Sequence, residues 1–257
     1  MDLGLSDRVY VLTGASRGLG FATARALAAD GANVVVSGRT ESTVKAAVDA
    51  LGPDRAEGLV ADLAAPDTGD RLVAAARTRF GRLDGALISV GGPPHGGVLD
   101  ASDESWQAAF ATVFMGTVRL ARTLAAAFGE RPPGNEAAIG LVLSSSVLQP
   151  LSGLAISNGL RPGLAGLAKD LSNQLGPKGI RVFSLLPGGF LTDRNREIME
   201  ASGDAARSEA QRSAAIPLRR MGRPEEFGRV AAFALSPAAS YVTGTALRVD
   251  GGVIAAI

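Results

Sequence analysis

Hydrophobic positions along this chain switch between two spacings. Short runs of aliphatic and β-branched residues alternate with stretches in which apolar residues return every three or four positions. Arg8 to Leu12 and Asn33 to Ser37 predict buried strands, as do Gly58 to Ala61, Gly85 to Ser89, Ala138 to Leu143, Ile180 to Leu186 and Ala246 to Val249. Helical patterns cover Phe21 to Ala29, Glu41 to Leu51, 102–128, 154–175 and a stretch from Pro224. Another runs from Asp67 to Phe80, with Leu72, Val73, Ala76 and Phe80 on one side. No Pro/Ser-rich linker interrupts the alternation, so 1–257 reads as one α/β domain, a doubly wound parallel sheet with helices on both faces. In such a sheet ligands gather at the carboxyl ends of the strands.

The first strand runs into Thr13-Gly14-Ala15-Ser16-Arg17-Gly18-Leu19-Gly20, which opens a helix. Gly14 suits a tight turn, Gly18 a close approach of backbone to phosphate, and Gly20 the packing of helix against strand. The free amides and dipole of that helix would face a pyrophosphate. A glycine-rich turn that binds nothing is the plainer alternative.

Composition removes several other functions. Net charge is +1 with scattered charges, which argues against a nucleic-acid surface. Cysteine is absent and His95 is the sole histidine, so disulfides, thiolate chemistry and a protein-built zinc site are not expected. The N-terminal residues carry no signal-peptide pattern, and no apolar run reaches the ~20 residues of a membrane helix. A cytoplasmic protein without a membrane partner is the expectation.

The chain resembles the short-chain dehydrogenase/reductase family over essentially its whole length. The resemblance rests on Thr13 to Gly20, Ala61-Asp62-Leu63, Ile180 through Leu186-Pro187-Gly188, Thr192, Thr243-Gly244 and Val249-Asp250-Gly251-Gly252. It implies a Rossmann-like domain with a sheet of about seven strands. It also implies an NAD(P) cofactor, a small-molecule substrate and a homotetramer or homodimer. By the same resemblance Asp62 and Leu63 meet the adenine, Gly91, Pro187 and Gly188 line the cofactor, and Thr192 holds the nicotinamide carboxamide. Asp62 as a turn cap and Thr192 as a helix cap are the bland alternatives. The segment 190–217, charged and without continuous apolar periodicity, corresponds to the family's mobile lid.

Charge at the end of the second strand bears on the cofactor. Gly38 stands where an NAD enzyme often carries its acid, and Arg39 follows, with Arg17 able to approach from the glycine loop. A guanidinium pairs with phosphate through directed, charge-assisted bonds, which favours NADP(H), with NAD(H) possible. Arg39 stacked on adenine or facing solvent is the alternative.

At the reaction centre the chain departs from its relatives. The family carries a Tyr as proton donor, a Lys four residues later and a Ser at the end of the fifth strand. Registered on Gly179-Ile180-Arg181-Val182, the Tyr position falls on Ser157 and the Lys position on Arg161, while spacing selects Ser144 from the run Ser144-Ser145-Ser146. Tyr10 and Tyr241 lie in the first strand and a late loop and cannot substitute. Val113 stands at the usual Asn, and Ser89-Val90-Gly91-Gly92 replaces the usual Asn-Asn-Ala-Gly. The chain is similar in this to a divergent subgroup with a Gly-Gly-Pro-Pro loop and a Ser-Asn-x-x-Arg helix. Arg161 stays charged and can stabilise an oxyanion or hold ribose hydroxyls, but it is a poor proton donor. Proton delivery is then expected through Ser157, a water chain or His95, since an imidazole of pKa about 6.5 suits acid work near neutrality. His95 as an exposed loop residue without a role is the alternative. Trp106 and Phe110 are expected in the core or at a subunit contact.

Three functions follow: an NADP(H)-dependent carbonyl/alcohol oxidoreductase, a nucleotide-binding protein without turnover, or a reductase of an activated double bond.

Overall fold

Alternate residues of β1 (Val9–Leu12) serve two cores. Val9 and Val11 face one side of the sheet, Tyr10 and Leu12 the other, and all four are buried. The computed structural model describes residues 2–132, 135–201 and 203–255. After β1 come α1 (Gly18–Ala29), β2 (Asn33–Gly38), α2 (Glu41–Leu51), β3 (Ala56–Val60), α3 (Thr68–Phe80) and β4 (Gly85–Ser89). They are followed by α4 (Asp103–Ala109), a π-helical segment (Phe110–Met115), α5 (Gly116–Phe128), β5 (Ala137–Val142) and α6 (Ala155–Leu175). The chain closes with β6 (Ile180–Pro187), α7 (Asp193–Ala201), α8 (Ala205–Ala214), α9 (Pro224–Leu235) and β7 (Ala246–Val249). The seven strands form one parallel sheet in the order β3-β2-β1-β4-β5-β6-β7. The order reverses between β1 and β4, which opens a crevice beyond their carboxyl ends.

One core lies under α3, α5 and α6 and includes Leu72, Ile88, Leu120, Ile139 and Val182. The other lies under α1 and α9 and includes Leu27, Leu87, Phe183 and Phe227. Leu72, Val73 and Ala76 of the predicted apolar face are buried and Phe80 packs at its margin. Tyr10 is buried against Gly85, where a Cβ would come within 2.7 Å of its ring. Tyr241 is fully exposed in the loop before β7.

Two details differ from the sequence pattern. The helix over 102–128 contains the π-helical segment, inside which Val113 is buried and its carbonyl accepts a hydrogen bond from Thr117 Oγ1 at 2.7 Å. Trp106 and Phe114 pack on Gly159 and Gly163 of α6, whereas Phe110 stacks on Phe114 at 5.1 Å and is half exposed. The stretch 190–217 is two helices, α7 and α8, over a small apolar cluster of Met199, Ile216 and Met221. Its ends are tied where Leu191 N donates to the Gly222 carbonyl at 2.8 Å and Gly222 N to the Gly189 carbonyl at 2.9 Å. Among the described residues no helix is long and apolar enough to cross a membrane, and no cluster of metal-ligating side chains occurs.

Candidate active site

Thr13 joins the carboxyl ends of β1 and β4. Its hydroxyl donates to the Ser89 carbonyl at 2.9 Å and accepts from Ser89 N at 3.0 Å. The chain then turns at Gly14, whose φ of +54° and position suit only glycine: a Cβ would sit 2.7 Å from the Ser89 oxygen. At Gly20 a Cβ would lie 2.5 Å from the Gly14 oxygen, so α1 docks tightly on the strand end. The first turn of α1 holds no acidic residue, and the residue before it, Arg17, supplies no side-chain cap. Its amides are therefore open to an outside acceptor, which is how a pyrophosphate is held.

A cavity of about 850 Å³ opens from this loop along the strand ends. Gly14, Ser16, Arg17, Gly18, Leu19 and Gly20 line it at β1, Arg39 at β2, and Asp62 and Leu63 after β3. Gly91, Arg161, Pro187 and Thr192 line it farther along. The residues read as cofactor contacts thus share one wall-to-wall space, apart from Gly188, which packs against Asp250. These residues fit a dinucleotide: a bared glycine turn, open helix amides and a continuous groove.

The alternative roles are also visible. Asp62 caps a turn by accepting from Ala64 N at 2.9 Å, and Thr192 Oγ1 accepts from Asn195 N at 3.4 Å. Arg17 and Arg39 are exposed, and Arg17 has only a loose 3.7 Å ion pair with exposed Glu197. Beside Arg39, Gly38 faces Ser16: a Cβ there would stand 2.6 Å from Ser16 Oγ, which also accepts from Thr43 Oγ1 at 3.3 Å.

The reaction end is less convergent than the sequence suggests. Arg161 is 6 % exposed, and its Nη1 donates to the carbonyls of Val142 at 3.0 Å and Leu143 at 2.9 Å, fastening α6 to the end of β5. Burial, and after it the nearby charge of Arg194, lowers its pKa to about 10. Ser157 is buried, and its Oγ lies 3.2 Å from the Oγ of Ser146, not of Ser144. A short 3₁₀ turn over Ser145–Val147 swings Ser146 toward α6, while the Ser144 hydroxyl is occupied in accepting from Ser146 N at 3.0 Å. Neither Ser144 nor Ser157 lines the cavity. His95 is exposed, and the cavity wall passes through Pro94 without reaching it.

Two contributors lie outside the sequence reading. Asn158 pins the loop before α6, accepting from Leu151 N at 3.0 Å and donating to the Leu151 carbonyl at 2.8 Å. Arg194 of α7 reaches back across the cavity mouth to the carbonyls of Gly92 at 2.7 Å and Pro93 at 2.9 Å. A glycine pair facing a distant arginine carries no local signal, because the contact exists only once α7 docks.

Comparison with known proteins places this geometry. The sequence profile of the family described as Enoyl-(Acyl carrier protein) reductase matches residues 14–254. L-rhamnose 1-dehydrogenase (NAD(P)(+)) of Azotobacter vinelandii is 34% identical over 258 residues, spanning 97% of both chains. Dehydrogenase/reductase SDR family member 4 of Bos taurus is 32% identical over 251 residues, 96% of this chain and 88% of its own. Among solved structures, L-sorbose reductase of Gluconobacter frateurii, complexed with NADPH and L-sorbose, superposes with a TM-score of 0.91 at 29% identity over 100% of both chains. The 3-ketoacyl-(acyl-carrier-protein) reductase of Brucella melitensis, complexed with NADH, gives 0.86 at 28% identity over 97% of this chain and 99% of its own.

Proposed function

The chain belongs to the short-chain dehydrogenase/reductase family, and on that membership we propose an NADP(H)-dependent oxidoreductase that interconverts a carbonyl and an alcohol without the family's tyrosine. The observation that carries this reading is the single cavity running from the open amides of α1 to the Arg161 guanidinium. When bound, the cofactor supplies or accepts the hydride. The glycine loop and α1 hold the pyrophosphate, and Arg39 and Arg17 meet the 2′-phosphate. Support for NADP over NAD comes from Gly38, where Ser16 fills the space a carboxylate side chain would need.

Arg161 orients the substrate oxygen and stabilises negative charge on it as the carbon is reduced. Its position is fixed by two backbone carbonyls, so it needs little reorganisation. The proton is taken from water in the cavity. This assignment is favoured because the Ser157 hydroxyl is committed to Ser146 and His95 stands clear of the cavity wall. Segment 190–217 acts as the lid, with Arg194 holding it to the Gly92-Pro93 loop.

The test is reduction of a carbonyl panel by the purified protein with 4-deuterated NADPH, reading deuterium at the product carbinol carbon. NADPH binding without label transfer to any carbonyl overturns the reading. That result would select the second one, a nucleotide-binding protein without turnover, which the diversion of Ser157 from the cavity favours.

A further inference from the structure

Two arginines reach the substrate end of the cavity, and among the described residues neither has a carboxylate partner. Arg161 is almost wholly buried, and the groups it binds, the Val142 and Leu143 carbonyls, are neutral. Arg194 likewise donates to neutral groups, the carbonyls of Gly92 and Pro93. The backbone is bared for that contact: a Cβ on Gly92 would lie 2.5 Å from Arg194 Nη1. The carboxylates lining the same cavity are Asp62, Glu104 and Asp193, and among the described residues none pairs with either guanidinium. Glu104 is engaged with Ser102 and its own backbone at the start of α4.

Burying a guanidinium without an anion is costly, and placing a second one near it adds repulsion. Dipoles of backbone carbonyls hold both groups in place but leave their charge uncancelled. Each guanidinium has five N–H donors in a planar fork, more than the carbonyls use. The missing element is an anion, with an oxygen for each guanidinium to donate to.

We propose that the reactant is itself an anion, a small carbonyl or hydroxy compound whose carboxylate or phosphate meets Arg194 while the oxygen on its reacting carbon lies at Arg161. This rests on the oxidoreductase reading above and assigns its substrate class. Arg194 is then a specificity residue, and closure of the lid is coupled to the charge of the substrate, because the residue that binds the anion is the one that holds the lid to the loop.

The test is equilibrium binding by calorimetry, on the full chain alone and saturated with NADP⁺. The ligands are pyruvate, acetoacetate and levulinate against their methyl esters, and dihydroxyacetone phosphate against dihydroxyacetone. At least one anion should bind about tenfold or more tightly than its neutral counterpart, a factor typical of one charge-assisted contact. Arg194→Gln should reduce that preference to about twofold, and Arg194→Lys should restore part of it. The carboxylate and phosphate arms identify which anionic group the site takes. Neutral counterparts binding as tightly as the anions, a preference that survives Arg194→Gln, or no anion binding to either form would overturn the proposal. NADPH affinity, measured on the same preparation, tests the cofactor reading separately: its loss with the anion preference intact sinks that reading and leaves the anion site standing.

Discussion

The Oγ atoms of Ser157 on α6 and Ser146 beyond β5 lie 3.2 Å apart in a buried pair that joins the helix to the end of the strand. Ser157→Ala should leave Ser146 buried without that partner and lower unfolding stability by roughly 1–3 kcal/mol. Ser146→Ala should cost a similar amount, and the double variant less than the sum, since the two hydroxyls satisfy each other. Urea denaturation measures all three. Turnover of Ser157→Ala should stay within about tenfold of wild type, less than the general-acid contribution of ~10²–10⁴. A larger loss would show that Ser157 turns toward the substrate during the reaction.

Arg161→Met should separate catalysis from stability. Loss of a fixed donor at the developing oxyanion predicts a fall in kcat of about 10²–10³. Stability should change by only about 1 kcal/mol, because the desolvation of the buried charge is relieved as its two hydrogen bonds are lost. The pH dependence has a definite sign. The residue's pKa is lowered to about 10 in the folded protein, so from there up to its ordinary, higher value the unfolded chain binds a proton that the folded chain does not. The destabilising charge is therefore present below pH 10 and is relieved as pH rises through that window. Wild type minus Arg161→Met stability should climb over the same interval in denaturation series at stepped pH.

How much of this was legible in the sequence depended on whether a feature was local. α2 over Glu41–Leu51 and β4 over Gly85–Ser89 coincide with their hydrophobic patterns residue for residue, because each buries one face that the pattern itself defines. The glycine loop and Asp62 follow the ends of β1 and β3 within a few residues, so placing the strands placed them on the cavity. The π-helical segment was hidden, since the apolar spacing of Phe110, Val113 and Phe114 fits an ordinary helix and the choice depends on how Trp106 and Phe114 dock on α6. Which serine meets Ser157 was hidden for a similar reason. Spacing from Ser157 selects Ser144, but the 3₁₀ turn after β5 presents Ser146. Arg194 was invisible because its partners lie about a hundred residues earlier, joined only by tertiary packing.

Cofactor choice should respond to Arg39 and Gly38 in distinct ways. Arg39→Ala should weaken NADPH binding by about 10- to 100-fold, equivalent to a charge-assisted bond of ~1.5–3 kcal/mol, and leave NADH binding little changed. Gly38→Asp alone should not create an NADH enzyme, because its Cβ would meet Ser16 Oγ at 2.6 Å. Adding Ser16→Gly should make room for the carboxylate and shift the preference toward NADH. Fluorescence titration with both nucleotides checks each step. Equal loss of NADH and NADPH on Arg39→Ala would place that side chain on the adenine instead.

Acid sensitivity should concentrate where segment 190–217 returns to the body of the protein. Glu226 in the first turn of α9 accepts from Arg220 Nη1 at 2.8 Å, Arg220 Nη2 at 2.7 Å and Arg223 N at 2.8 Å. The Arg220 guanidinium, then the Arg223 amide, hold its pKa at about 2 against an ordinary 4.5. A carboxyl with a lowered folded pKa contributes stability that is fully present above 4.5 and is lost as pH falls through the folded value. Glu226→Gln keeps the shape but cannot gain from ionisation, so its Tm deficit relative to wild type should be constant from pH 7 to 5 and shrink toward pH 3. Arg220 directly precedes Met221 and Gly222, where the two ends of segment 190–217 are bonded together, so the same acidification should loosen that segment first. Hydrogen exchange at pH 3, with rates corrected for the intrinsic pH dependence of exchange, would show this as faster labelling of α7 and α8 in wild type, with β1 and β4 still protected. Uniform labelling across the chain would instead mean that Glu226 governs global stability.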